Sequence, residues 1–210
     1  MNPGGKVFLA VPDTEIYQKS GDISMLLHEH WSYFTQKALF NFFNSLGGFD
    51  PRIEKATFGG SLYCAAKINN QASPRKPIDS FDEFYDDDVE NFVSQMNEMN
   101  FFLEKLINNA RDKKRTLAVY VPGRIINMLS VTGIDSSHMR FIDDNFAMHG
   151  CFFPGFSQQV EDRKALIKNP TNEVLIMSNT FGNKIKRSLQ KELPSSTNIF
   201  IINELEKLFK

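Results

Sequence analysis

Apolar positions along the chain fall into two successive patterns. The run Val7-Phe8-Leu9-Ala10-Val11, entered from Pro3-Gly4-Gly5 and closed by Pro12, predicts a buried core strand. Residues 13 to 30 are polar and irregular. Ala38, Leu39, Phe42, Phe43 and Leu46 then recur at helical spacing and predict a helix over 36–46, with Thr35 as its N-cap and Gly47-Gly48 as its stop. Stretches 52–58 and 62–67 read as strands of a hairpin turned at Gly59-Gly60-Ser61. Residues 68–80, with two prolines and no apolar period, read as a linker. Beyond it Val89, Phe92, Met96, Met99, Leu103, Leu106 and Ala110 alternate steps of three and four, a heptad-type seam on a helix over 84–112. The acids Asp86, Asp87 and Asp88 at its start, and Arg111, Lys113, Lys114 and Arg115 at its end, suit the helix dipole. A packing helix between domains and a coiled-coil dimer both fit that seam.

From Thr116 strand and helix patterns alternate. Strands are expected at 117–121, 140–143, 174–177 and 198–203, helices at 124–132, 162–168 and 181–193, and a last helical turn at 204–209. Such alternation implies a parallel sheet covered on both faces, a Rossmann-like half. The expected class is therefore α/β: a three-stranded sheet, a long helix and a parallel Rossmann-like domain.

Composition narrows the function. The 210 residues carry 24 basic and 25 acidic side chains, and that balance argues against a nucleic-acid binder. At 41% apolar the chain has a core to bury. Its apolar runs stop at about five residues, too short for a signal-peptide core or a membrane span, so a cytoplasmic protein is expected. Cys64 and Cys151 form no CxxC pair, which disfavours a disulfide scaffold or structural zinc.

Three places carry candidate chemistry. His28-Glu29-His30, followed by Trp31, Tyr33 and Phe34, lacks the four-residue spacing that puts two zinc ligands on one helix face. On an extended segment the two histidines would point the same way as a metal pair. An acid beside an imidazole equally suits proton abstraction, and a loop packed by Trp31 and Phe34 needs neither. The turn Tyr120-Val121-Pro122-Gly123-Arg124 lies where a Rossmann-like unit docks phosphates. It keeps only Gly123 of a glycine-rich loop, and Pro122 removes a donor, so dinucleotide binding is disfavoured. Asp143-Asp144, at the end of the second parallel strand, would reach a ribose hydroxyl or cap the next turn. Asn179, after the strand at 174–177, is a ligand contact or a helix cap.

In their order these pieces resemble the C-terminal part of SAM-dependent C-methyltransferases that act on deoxysugar nucleotides. NPGGKVFLAVP is similar to the late turn and fifth strand of a class I methyltransferase domain. GDISMLLHEHWSYFTQKALFNFFNSLGGF resembles the family's segment with an EH pair, an aromatic and a helix ending in glycine and Phe. RIEKATFGGSLYCAAK resembles its closing hairpin. LAVYVPGRIINMLSVTGI, FIDDN, GCFFPG and LIMSNTFGNKI stand in the order of the family's C-terminal Rossmann-like domain. The resemblance divides the chain into a methyltransferase remnant over 1–67, the linker at 68–80, a connecting helix over 81–115 and the C-terminal domain over 116–210.

The resemblance implies that a base removes a proton α to the keto group of a sugar nucleotide, and that the enolate takes the methyl of S-adenosyl-L-methionine. It makes His30 the base with Glu29 beside it, and His28, Tyr33, Tyr120, Gly123 and Asn179 substrate contacts. Leu27 stands where the family has an aromatic. The family's four zinc cysteines, glycine-rich SAM loop and ribose-binding acid have no counterpart in these residues. The resemblance therefore implies a truncated or split enzyme that binds no SAM by itself, holds no metal, and works with a separate N-terminal methyltransferase half or as a homodimer. Two rival readings are a non-catalytic sugar-nucleotide-binding or assembly module, and an enzyme whose His28 and His30 hold a metal.

Overall fold

The computed structural model describes residues 4–26, 32–57, 60–68 and 86–209. Its described residues form two compact units: 4–22 with 32–95, and 23–26 with 96–209.

In the first unit, strands β1 (Lys6–Pro12), β2 (Phe49–Lys55) and β3 (Ser61–Ile68) form an antiparallel sheet in the order β1-β3-β2. Leu62, Cys64 and Ala66 of β3 are buried while Tyr63 between them is exposed, the period-two pattern of a half-covered sheet. The covering element is helix α2 (Gln36–Leu46), whose Leu39 and Phe43 share a core with them. It starts as its sequence predicts, with Thr35 Oγ1 accepting from the Ala38 amide at 3.1 Å.

Three sequence expectations need correction here. The apolar run of the first strand is not buried as a core strand: among the described residues β3 is its one neighbour in the sheet, and Phe8 is 72% exposed. The stretch after it is not irregular, because Glu15–Ser20 form helix α1 and Ile23–Met25 a 3-10 turn. The hairpin begins at Phe49 rather than 52, since among the described residues β2 is an edge of the sheet, where a proline such as Pro51 is tolerated.

Helix α3 (Asp86–Asp112) spans most of the predicted range, but its seam does not bury evenly. Val89 is 52% exposed, whereas Phe102, Leu103, Leu106, Ile107 and Ala110 are buried. That broader stripe is the face of a helix packed into a core rather than a narrow coiled-coil seam. It belongs to the second unit, where Phe102 stacks on Phe209.

The second unit holds five parallel strands: β4 (Leu117–Tyr120), β5 (Met139–Ile142), β6 (Val160–Glu161), β7 (Glu173–Ile176) and β8 (Asn198–Ile201). Their order is β6-β5-β4-β7-β8. The chain thus builds outward from β4 in one direction, then returns and builds in the other, the winding of a doubly wound sheet. Helices α4 (Ile126–Thr132), α5 (Arg163–Lys168), α6 (Gly182–Glu192) and α7 (Glu206–Phe209) lie in the connections and at the end. Every residue of β4 and β7 is buried, as a sheet covered on both faces requires. One face packs Ala118, Tyr120, Val174 and Ile176 against Leu166 of α5 and Leu189 of α6. The two-residue strand β6 was not foreseen in the sequence.

Candidate functional site at the switch point of the parallel sheet

In a doubly wound sheet, ligands sit beyond the carboxyl ends of the strands where the winding reverses. Here that point lies between β4 and β7. The Met177 amide donates to the Tyr120 carbonyl at 2.9 Å, and the Val121 amide to the Ile142 carbonyl at 2.9 Å, so the end of β4 is tied to both neighbours. Val121 then turns into the left-handed region, with φ 61°. A β-branched residue rarely adopts that conformation, and its presence at this turn marks local strain. The turn passes Pro122–Arg124 as one 3-10 turn and enters α4.

Tyr120 points into the sheet's helix-covered face. Its side chain is buried and its hydroxyl donates to Asp144 Oδ1 at 2.6 Å. Burial first, then this hydrogen bond, pushes the phenol above its ordinary range. Arg163 stands 3.9 Å from the other Asp144 oxygen and binds Glu192 through two nitrogens at 3.0 and 2.8 Å. Asp143 accepts from the Asn145 amide at 2.8 Å. Both acids of the pair are thus engaged in local structure, the capping alternative for Asp143.

Gly123 is exposed and has no left-handed φ, and a Cβ there would meet only the Phe153 ring at 3.8 Å. Packing does not demand glycine at this position. Asn179 is partly buried two residues beyond Met177. It does not cap α6: the N-cap is Phe181, whose amide donates to Ser178 Oγ at 3.1 Å. The structure thus brings Tyr120, Gly123 and Asn179 to one edge of two adjacent strands. Tyr33 belongs to the first unit and is 37% exposed. Leu27, His28, Glu29, His30 and Trp31 lie outside the described residues.

Sequence reasoning missed what meets this edge from the N-terminal part of the chain. Residues 23–26 belong to the second unit. Ile23 and Ser24 are buried. Asn127, the second residue of α4, donates through Nδ2 to the Leu26 carbonyl at 3.1 Å, and Arg124 Nη1 reaches Ser24 Oγ at 3.4 Å. The local signals were Ile23, Met25 and Leu26, apolar positions at the end of a polar stretch.

The turn fits a nucleotide cofactor poorly. Val121 and Ile125 spend their amides on the Ile142 and Pro122 carbonyls, and Pro122 has none to give. Among the described residues no group of three His, Cys, Asp or Glu side chains is placed to hold a metal ion. No helix among them is long and apolar enough to cross a membrane.

The family model of the C-methyltransferase C-terminal domain matches residues 56–203, more than two thirds of the chain. No curated protein matches it. The matched stretch includes the whole parallel sheet and its switch point. By that match the chain belongs to the C-methyltransferase family, whose C-terminal domain it carries.

Proposed function

We propose that this chain supplies the sugar side of a SAM-dependent C-methyltransferase acting on a keto-deoxysugar nucleotide. His30 removes a proton from the carbon α to the keto group: the C–H bond breaks, the proton passes to the imidazole, and the electron pair moves into the enolate. Glu29, its neighbour in the sequence, supplies a negative charge that favours the imidazolium that forms. S-adenosyl-L-methionine supplies the methyl group. The amides of the β4 turn offer it no cradle, so no donor contact is assigned to this chain, and the donor is held by a SAM-binding methyltransferase portion working with it in the cytoplasm.

The family match over 56–203 carries the C-methyltransferase part of this reading. The switch point supports it, because Tyr120, Gly123 and Asn179 converge where such sheets bind small molecules.

The test is methyl transfer from SAM to a keto-deoxysugar nucleotide, with the chain and its SAM-binding portion together. One methyl should appear on the carbon beside the keto group. His30→Ala should slow it by roughly 100-fold or more with the fold intact. Retained turnover in that variant removes His30 from the role. Absence of any methylated keto sugar contradicts the substrate class.

A further inference from the structure

We propose that the excursion between β5 and β6 carries a stacking platform for the base of a nucleoside diphosphate sugar, with Phe146 as the ring that meets the base. This inference rests on the reading of the substrate as a sugar nucleotide. It deepens that reading by naming the end of the substrate that this edge of the sheet takes.

Strands β5 and β7 flank β4 in the sheet, and the chain leaving the carboxyl end of each carries an exposed phenylalanine, Phe146 at 85% and Phe181 at 41%. Aromatic surface thus follows both neighbours of the strand whose turn holds Gly123. Two residues separate Phe146 from Asp144, whose carboxylate takes the Tyr120 hydroxyl, so their Cα atoms are at most about 7 Å apart.

Phe146 is held out to water by a fixed backbone. The Asn145 amide donates to Asp143 Oδ1 at 2.8 Å, and Asn145 Oδ1 accepts from the Ala147 amide at 3.1 Å, which caps the 3-10 turn of Phe146–Met148. His149 Nε2 meets the Asp143 carbonyl at 2.8 Å, and its ring stands 5.7 Å from that of Phe146 at 74°. The Gly150 amide donates to the Val160 carbonyl, and the Val160 amide to the Cys151 carbonyl. Further on, the Phe153 ring packs on buried Phe141 at 6.0 Å and lies where a Cβ on Gly123 would touch it. The excursion is therefore tied to the β4 turn. Charge decides which part of a sugar nucleotide fits. Residues 145–156 contain no Lys or Arg, and Asp143 and Asp144 precede them. Two carboxylates repel a diphosphate, and an anionic membrane surface equally, but not a neutral planar base. A ring fixed in place stacks a base without losing its own freedom.

The test is calorimetric titration of the full chain with uridine diphosphate and, separately, with inorganic pyrophosphate, which lacks a base. Wild type should bind the nucleotide roughly tenfold or more tightly than pyrophosphate. Phe146→Ala should weaken the nucleotide by roughly 5- to 150-fold, the range for one base on one aromatic ring, and leave pyrophosphate and the thermal midpoint unchanged. Phe146→Tyr keeps the ring face and should bind as wild type does. Phe146→Leu, apolar but without that face, should lose most of the affinity. No nucleotide binding, equal binding of both probes, or an unaffected Phe146→Ala overturns the platform. Leucine binding as well as phenylalanine would mean an apolar contact and overturn stacking. Loss of the nucleotide together with a lowered thermal midpoint would assign Phe146 a structural role instead. The titration involves no methyl transfer. Base-dependent binding without methylation would sink the reaction and keep the platform, whereas methylation of a keto sugar with Phe146→Ala unaffected would do the reverse.

Discussion

Glu15 shows how much one half-buried group can be shifted by its neighbours. Lys19 and Lys55 both donate to its carboxylate, and these contacts hold its pKa near 2 against the usual 4.5. A carboxylate lowered on folding adds stability that is full above the unfolded value and is lost as pH falls toward the folded one. The gap in thermal midpoint between wild type and Glu15→Gln should therefore be constant from pH 7 to about 5 and shrink between 4.5 and about 2. A gap unchanged across that window would mean the lysine contacts do not persist in solution. Gly182 makes a steric rather than an electrostatic demand. A Cβ there would lie 2.6 Å from Cγ2 of Ile201, so glycine lets α6 lie directly on β8. Gly182→Ala should cost about 1–3 kcal/mol by overpacking, read as a lower denaturant midpoint. A neutral result would mean that α6 can move away freely.

Helix α3 separates what a pattern shows from what packing decides. Its length and ends were legible from the unbroken three-four spacing and the charges at its termini. Which half would be buried was not, because Val89 and Leu106 stand equally well on that seam. The structure exposes the first at 52% and buries the second to 3%. Leu106→Ala should cost about 2–5 kcal/mol, and Val89→Ala within about 0.5 kcal/mol of nothing. Equal losses would point to a coiled-coil partner along the whole seam. Strand β1 teaches the same lesson with opposite sign. Val7 to Val11 reads as core from composition alone, yet burial depends on neighbours, and among the described residues the sheet sets β3 against just one of its edges. Helix α2 was legible to the residue because its signals, the Thr35 cap and the Gly47 stop, are local.

At the scale of the whole molecule, alternation of strand and helix patterns revealed a parallel sheet but not its order. The order β6-β5-β4-β7-β8 depends on which connections cross, and no residue type records that. Once it is known, Tyr120, Gly123 and Asn179, separate in the sequence, fall at one reversal of winding. The anchoring of 23–26 to Arg124 and Asn127 was not legible, since it joins residues about 100 positions apart through a backbone carbonyl and a hydroxyl. The histidine segment was visible only as a motif.

The reading of His30 is tested most directly by proton exchange without methyl transfer. The chain and its SAM-binding portion would be incubated in D2O with a keto-deoxysugar nucleotide and no methyl donor. Deuterium at the carbon α to the keto group would then be followed by NMR. Wild type should exchange that position, and His30→Ala should do so roughly 100-fold more slowly. Exchange at the same rate in both, or none in wild type with the sugar nucleotide bound, would contradict base-assisted enolate formation by His30.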